Sequence, residues 1–371
     1  MLKSLRIQNF RVFQDLTIDR LAPVNLIVGR NNIGKTTLLE ALHLYYSPDV
    51  FRSASDLLTQ RQEFSPQDLS LMVSWDNLFH QIPGPGSRIQ ISESLALETQ
   101  LDSHPSTLLI APKWMWKQHR LESEETHIVQ QQFGEDPPPD AEAIEVLVAY
   151  QGGEMIGYRD VKSLAERGMP YKVRHAIQSR SNILQCLLLP FGDPGVRRVD
   201  VAKLWDDAVL SDREDEVLAL LRLIEPQLKK VRIIQDQASK KRLIFVKVAD
   251  QKPVPLSRLG AGMARIFELA VSLVNLKPGG TLLVDELDAG VHYSVLTGVW
   301  RTVLATARTL GVQVFVTTHS WDCIQAFQEA TAEDLESGLL IRLESGEAGV
   351  RSEIFSGEEI QTIASHAIEV R

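Results

Sequence analysis

Cysteine is scarce: among 371 residues only Cys186 and Cys323 occur, far apart and outside any metal-ligand or redox spacing. Neither a disulfide framework nor a cysteine-based zinc site is indicated, and a reducing, cytoplasmic setting is expected. Long apolar runs are missing too. No stretch approaches the roughly eighteen uninterrupted apolar residues that read as a membrane span. Met1-Leu2-Lys3-Ser4-Leu5-Arg6 opens onto no apolar leader core, so neither export nor membrane insertion is expected. Positive charge is in deficit, with 39 Lys and Arg against 48 Asp and Glu and a formal net charge of -9. A surface that is basic overall is thereby excluded, which leaves any nucleic-acid contact to a local patch. Internal repeats, a sustained heptad pattern and an Asn-Lys-x-Asp guanine motif are also absent. What is present, 44% hydrophobic and 23% charged residues, describes an ordinary soluble protein of one large or two fused domains, long enough to bury a substantial core.

Residues 1 to 28 alternate apolar and polar positions, with Leu5, Ile7 and Phe10, then Phe13, Leu16 and Ile18, predicting two short strands before a third over Val24 to Val28. From Lys35 the period changes. Leu38, Leu42 and Tyr45 share one helical face, and Pro48 stops the helix. Between about 50 and 200 the pattern weakens to strands near Ile89 to Ser92 and Ile144 to Tyr150, with Gly134 to Asp140 as a proline-bearing surface loop. It sharpens again with an amphipathic helix around Asp212 to Ile224, ended by Pro226. Thr281 to Val284 reads as a buried parallel strand, Leu296 to Leu310 as a helix that Gly311 ends, and Val312 to Val316 as the next strand. Strand and helix in alternation predict a parallel sheet layered with helices, with its ligand at the carboxyl ends of the strands.

Gly29-Arg30-Asn31-Asn32-Ile33-Gly34-Lys35-Thr36 fits G-x-x-x-x-G-K-[ST] at every fixed position and lies between a predicted strand and a predicted helix. The glycines allow a turn that aims backbone N–H groups at phosphates, and the helix beginning near Lys35 adds its positive end. Lys35 is the candidate for the β- and γ-phosphates of ATP, Thr36 for Mg²⁺, and Thr37 for the α-phosphate. Asp285 and Glu286 close the Thr281 to Val284 strand, where side chains reach the ligand crevice. Asp285 suits the outer shell of the metal. Glu286 suits the water that attacks in phosphoryl transfer, where a positioned nucleophile matters more than covalent chemistry. His319, in Thr317-Thr318-His319-Ser320 after the next strand, is placed to reach a γ-phosphate oxygen.

With these residues placed, the chain resembles ABC-type ATPases of the RecF, SMC and OLD group, often described as AAA-family ATP-binding proteins. The resemblance rests on Asn9-Phe10-Arg11-Val12-Phe13, Gly29 to Thr37, Leu256 to Arg265, Leu283 to His292 and Thr317 to Asp322. It implies an α/β fold with a largely parallel central sheet, helices on both faces, an N-terminal antiparallel β layer and an inserted α/β middle region. Residues 1–50 and 201–371 would then form the ATPase domain and 51–200 the insertion. It also implies that two chains complete each other's sites. In the family a glycine-rich turn from the opposing protomer closes over ATP; here that turn is Ser257-Arg258-Leu259-Gly260-Ala261-Gly262-Met263, with either Ser257 or Gly260 at the serine position. Ahead of a helix, Gly260 and Gly262 offer free N–H groups to a phosphate, or simply form a structural cap. Ala289 to His292 falls where the family crosses the dimer interface, and Gln81 is the candidate for the glutamine loop.

Arg11 and Arg265 either approach the nucleotide, as an early basic residue of the family does, or are simply exposed arginines. Lys229-Lys230-Val231-Arg232 and Lys240-Lys241-Arg242 read as nucleic-acid phosphate contacts or as solvated basic turns. The function implied is a cytoplasmic ATPase whose ATP-driven dimer closure controls an effector or a nucleic acid, as in DNA repair or phage defence. No Toprim-like acid constellation is present, so a nuclease in this system is expected as a separate partner. A transporter subunit is the alternative; against it stand the irregular Leu259-Gly260-Ala261-Gly262 and more than 200 residues between Lys35 and Gly260. A small-molecule kinase fits less well, because the two acids and His319 favour water as acceptor.

Overall fold

The computed structural model describes residues 1–63, 75–83, 86–93, 107–119, 126–129, 141–160, 185–190, 200–235, 242–347, 349–357 and 359–360. The Gly134 to Asp140 loop and Lys240 and Lys241 lie outside the described residues. Two compact units emerge. The first comprises Met1–Ser4, Ile18–Tyr46 and Leu184–Arg371, and the second Leu5–Thr17 and Ser47–Ile183.

The first unit is built on a six-stranded sheet whose order is β16-β15-β3-β14-β13-β9. These strands are β3 (Val24–Gly29), β9 (Cys186–Leu189), β13 (Thr281–Val284), β14 (Gln313–Thr317), β15 (Gly338–Gly346) and β16 (Gly349–Ser356). All neighbours pair in parallel except β15 with β16, an antiparallel hairpin at one edge. Every residue of β3, β13 and β14 is buried. Such short, continuously apolar strands are stable only when both faces are covered, and helices supply that cover.

On one face, Val24, Leu26, Val28, Leu282, Val284, Val314 and Val316 join a single core with residues from five helices. These are α3 (Val201–Leu210), α4 (Glu214–Leu221), α5 (Ala261–Val274), α6 (Tyr293–Leu310) and α7 (Trp321–Thr331). Trp300 of α6 is fully buried and meets Phe327 of α7 edge-on, ring centroids 4.8 Å apart. The predicted stop at Gly311 is present, with its backbone in the left-handed region and its N–H on the last turn of α6. The helix α1 (Lys35–Tyr46), which adds nothing to that core, packs across β3, β14, β13 and β9. A small antiparallel sheet precedes α5: β10 (Leu228–Gln235), β11 (Arg242–Val248) and β12 (Val254–Pro255).

The second unit holds a seven-stranded antiparallel sheet, built from β1 (Leu5–Phe10), β2 (Phe13–Ile18), β4 (Ile89–Ser92), β5 (Thr107–His119), β6 (Thr126–Val129), β7 (Ala141–Gln151) and β8 (Glu154–Asp160). Its helix is α2 (Val50–Gln60), capped by Asp49. The two N-terminal strands therefore belong with the middle of the chain, since β1 pairs with β4. The last strand of the stretch 51–200, β9, instead joins the parallel sheet beside β13.

Candidate active site

Strand order decides where the predicted residues meet. β14 runs between β3 and β13, so the loop after β14 emerges between the loops after the other two. The register continues the point: Val284 faces Val316, which brings Asp285 level with Thr317.

The loop Gly29 to Gly34 turns with φ of 142° at Gly29, 62° at Asn32 and 110° at Gly34. Gly29 is irreplaceable here on two counts. A Cβ would stand 2.5 Å from the Leu343 carbonyl oxygen of the neighbouring strand, and its φ disfavours any L side chain. Ile33 is buried beneath the turn, whereas Arg30, Asn31, Asn32 and Thr36 face solvent. Lys35 is 4% exposed, and its ammonium donates to the carbonyls of Gly29 at 2.7 Å and Arg30 at 2.9 Å. Burial brings its pKa from 10.5 down to about 8, against the opposing pull of Asp285 and Glu286. Thr37 is buried in the first turn of α1.

Thr36 and Asp285 meet: the threonine hydroxyl lies 3.2 and 3.1 Å from the two carboxylate oxygens. Thr317 locks the acid in place. Its hydroxyl donates to Asp285 Oδ1 at 2.6 Å and accepts the Glu286 N–H at 2.8 Å. Glu286 itself has φ of 51°. A left-handed glutamate costs on the order of 1–2 kcal/mol, and it persists where surrounding contacts over-determine it. Here the contacts are the Thr317 hydroxyl and two further backbone bonds, Leu287 N–H to the Thr317 carbonyl and Ala289 N–H to the Glu286 carbonyl. The turn directs the glutamate side chain toward His319, whose Nε2 is 3.5 Å from Oε1.

His319 Nδ1 is 3.2 Å from the Lys35 ammonium. A protonated lysine only donates, so Nδ1 accepts and the ring proton sits on Nε2, facing Glu286. The environment supports that tautomer: burial first, then Lys35, hold the His319 pKa below its ordinary value. Burial, then Asp285 and Asp288, raise that of Glu286. Lysine, histidine and glutamate thus form a continuous polar chain from the phosphate loop to the strand-end acid. Thr318 extends the network by donating to Asp288 and accepting the Ser320 N–H at 3.0 Å, while Ser320 caps α7.

Arg265 is not the exposed arginine that stood as the alternative to a nucleotide contact. It is buried on α5 and donates to the carbonyls of Asp285, Leu189 and Pro190, which ties α5 to the ends of β13 and β9. Arg11, in the second unit, pairs with Glu63 at 2.7 Å, and Gln81 of that unit is exposed. Thr317, which holds Asp285 and Glu286, and Thr318, which holds Asp288, had no role assigned from the sequence. The available signal was register: once β13 and β14 are neighbours, the residue after Val316 must meet the residue after Val284.

The turn ahead of α5 has a different character. Leu256–Leu259 forms one 3-10 turn, Gly260 has φ of 96°, and no side chain caps the helix. Ser257, Gly260 and Ala261 are exposed. Gly262 is not. A Cβ there would stand 2.2 Å from the carbonyl oxygen of Gly290, so the two glycines let this turn lie directly on the Ala289 to His292 segment of the same chain. His292 caps α6 through the Ser294 N–H and stacks on exposed Tyr293.

Known proteins resemble this chain at both the family and the fold level. Residues 1–82 match a family described as "AAA ATPase domain", and residues 165–322 one described as "AAA domain, putative AbiEii toxin, Type IV TA system". These two AAA matches support an ABC-type AAA ATP-binding protein. An "ATP/GTP phosphatase" of Helicobacter pylori is 25% identical over 90% of this chain and 89% of its own length. The "DNA replication and repair protein RecF" of Francisella tularensis subsp. mediasiatica is 28% identical over 20% of this chain and 24% of that protein. The crystal structure of an Smc head bound to the C-winged helix domain of ScpA shares the fold. It covers 98% of this chain and 99% of the Smc head at a TM-score of 0.51 with 12% identity. The chain is accordingly an AAA-type ATPase. No helix among the described residues is long and apolar enough to cross a membrane.

Proposed function

We propose that this ATPase hydrolyses ATP at composite sites between two copies of the chain and uses the resulting closure to control an effector or a nucleic acid. The effector would be a separate protein such as a nuclease, in phage defence or DNA repair. The observation that carries the reading is the joined set of Lys35, His319 and Glu286 beside the Thr36–Asp285 pair.

The donor chemistry fits ATP with a hard divalent cation. Gly29 to Gly34 and the start of α1 offer N–H groups to the phosphates, Lys35 adds a positive charge, and Thr36 with Asp285 presents hard oxygens. Among the described residues no cluster of three or more His, Cys, Asp or Glu side chains is arranged to hold a metal alone. Mg²⁺ keeps waters and borrows phosphate oxygens, so it requires few protein ligands. Mg²⁺, when bound by Thr36 and through Asp285, would neutralise charge on the phosphates. Glu286 orients the attacking water and draws on its proton, His319 steadies the terminal phosphate from Nε2–H, and Thr317 holds both acids in register. The exposed turn Ser257 to Ala261, at the open start of α5, closes over the phosphates of the partner copy, with Gly262 as its support. A ligand that contacts both copies favours the closed pair, and its cleavage removes those contacts.

Glu286→Gln tests the assignment, because it keeps volume and hydrogen bonding and removes the charge. Turnover should fall about 10²- to 10⁴-fold, the usual weight of a positioned base. ATP·Mg²⁺ should then accumulate in a closed pair holding two nucleotides, seen as a gain in mass by light scattering. Parental turnover would reject the catalytic role of Glu286; a slow variant with no nucleotide-dependent change of mass would reject closure and spare the chemistry.

A further inference from the structure

The small sheet β10–β11–β12 takes no part in the site above, yet its outer face is unusual. The antiparallel register sets Lys230 opposite Lys247, Arg232 opposite Phe245 and Ile234 opposite Leu243, and Pro255 of β12 lies beside Phe245. Side chains alternate along a strand, so these residues share one face. Their neighbours Val231, Ile233, Ile244 and Val246 point the other way into the core.

That face combines two features that rarely occur together on a solvated surface. Ile234 and Leu243 are 50% and 44% exposed. Lys230 and Arg232, also exposed, have no ion-pair partner among the described residues. Elsewhere on this sheet charge is neutralised, Lys229 by Asp250 and Arg242 by Asp206. The protein carries a net charge of -9, so an unneutralised pair of cations with Lys247 across the strand stands out against the whole.

We propose that this sheet face binds single-stranded nucleic acid. Lys230 and Arg232 lie two residues apart, about 6.6 Å along the strand, a spacing at which two cations meet successive phosphates of one extended chain. Phe245, Pro255, Ile234 and Leu243 form the floor beside them. A duplex would present only its phosphate walls to that floor, whereas a single strand can lay bases and sugars on it. The charge excludes a basic partner, and the two-residue row of cations suits a linear polyanion.

The inference does not depend on the ATP reading, since it is tested on the full chain without nucleotide. A fluorescein-labelled 20-mer of deoxythymidine, the matching uridine 20-mer and a 20-base-pair duplex would be titrated by anisotropy at several salt concentrations. Either single strand should bind more tightly than the duplex, with log K falling against log salt at a slope of about -2, as three neutralised phosphates require. Lys230→Glu with Arg232→Glu should weaken single-strand binding at least about tenfold, and Ile234→Ser with Leu243→Ser should weaken it while leaving the salt slope unchanged. Both double variants should keep the parental circular dichroism, thermal unfolding and basal ATPase rate. Unchanged affinity in the folded charge-reversal variant would overturn the proposal, as would preference for the duplex or no binding to any of the three. Vesicles of phosphatidylserine and phosphatidylcholine, run in parallel, should not bind; capture through Lys230 and Arg232 by vesicles but not by oligonucleotides would assign the face to a membrane and reject it.

Discussion

The carboxyl end of the β3–β14–β13 strands and the turn ahead of α5 lie in the same unit and are built on opposite principles. At the strand ends nearly every polar group is engaged: Lys35 with two carbonyls and His319, Asp285 with Thr36 and Thr317, Glu286 with Thr317 and His319. The turn Ser257 to Ala261 offers exposed backbone ahead of an uncapped fourteen-residue helix. One surface arrives assembled. The other leaves the positive end of a helix open, which is what a half-site awaiting an anion on another molecule requires. Buried Gly262 and Arg265 join the two, fixing the open turn to the rigid acids.

The severest break falls on the assembled side. Lys35→Ala should lower ATP affinity at least about a hundredfold, since charge-assisted bonds to phosphate contribute some 1.5–3 kcal/mol each and Lys35 serves more than one oxygen. The fold should survive, because Lys35 otherwise bonds only loop carbonyls and His319. Isothermal titration alongside circular dichroism checks both halves, and an unchanged Kd would reject the phosphate site.

A milder pair of variants separates the turn from its support. Gly262→Ala drives a methyl into the Gly290 backbone and should cost about 2–3 kcal/mol, lowering the melting temperature by roughly 3–4 °C in a chain of this size. Gly260→Ala meets no atom within 4 Å and strains only its own φ. It should cost about 1–3 kcal/mol, because this backbone conformation is nearly confined to glycine, and its main effect should be slower hydrolysis with ATP affinity of the single chain intact. A Gly262→Ala variant that melts like the parent would mean that the turn does not rest on Gly290.

The smallest effect is a slope with pH. Burial has lowered the Lys35 pKa to about 8, so above that pH the free protein releases the proton that phosphate binding requires. ATP affinity should therefore fall between pH 8 and 9, by up to about tenfold per unit. Stability should move the other way. Between about pH 8 and the ordinary lysine value of 10.5 the unfolded chain holds a proton that the folded chain does not, so this group's contribution rises with pH across that window. A Kd that stays flat from pH 7 to 9 would place Lys35 in a less buried state than its 4% exposure indicates.

Most of the assembled side was legible in the sequence. The glycine loop, Lys35, Thr36, Asp285, Glu286 and His319 all follow from fixed spacings at strand ends, and the parallel sheet from runs such as Leu282 to Val284. The clamp formed by Thr317 was not legible, because its partners are 31 and 32 residues away and meet only when β13 and β14 pair in register. The same holds for Gly262, which reads as a phosphate-facing glycine in a motif. Its burial against Gly290 is a fact of two loops meeting in space.

Local chemistry alone determined which residues in this chain can bind phosphate, coordinate a hard cation or activate water, because those capacities depend on residue type and on a few positions of spacing along one strand, loop or helix. Tertiary structure decided the rest. It set β14 between β3 and β13, so that His319 bridges Lys35 and Glu286. It assigned the first two strands to the antiparallel sheet, through the pairing of β1 with β4. Backbone pairing between distant strands does not depend on the identity of any one side chain, so no motif in the sequence carries it.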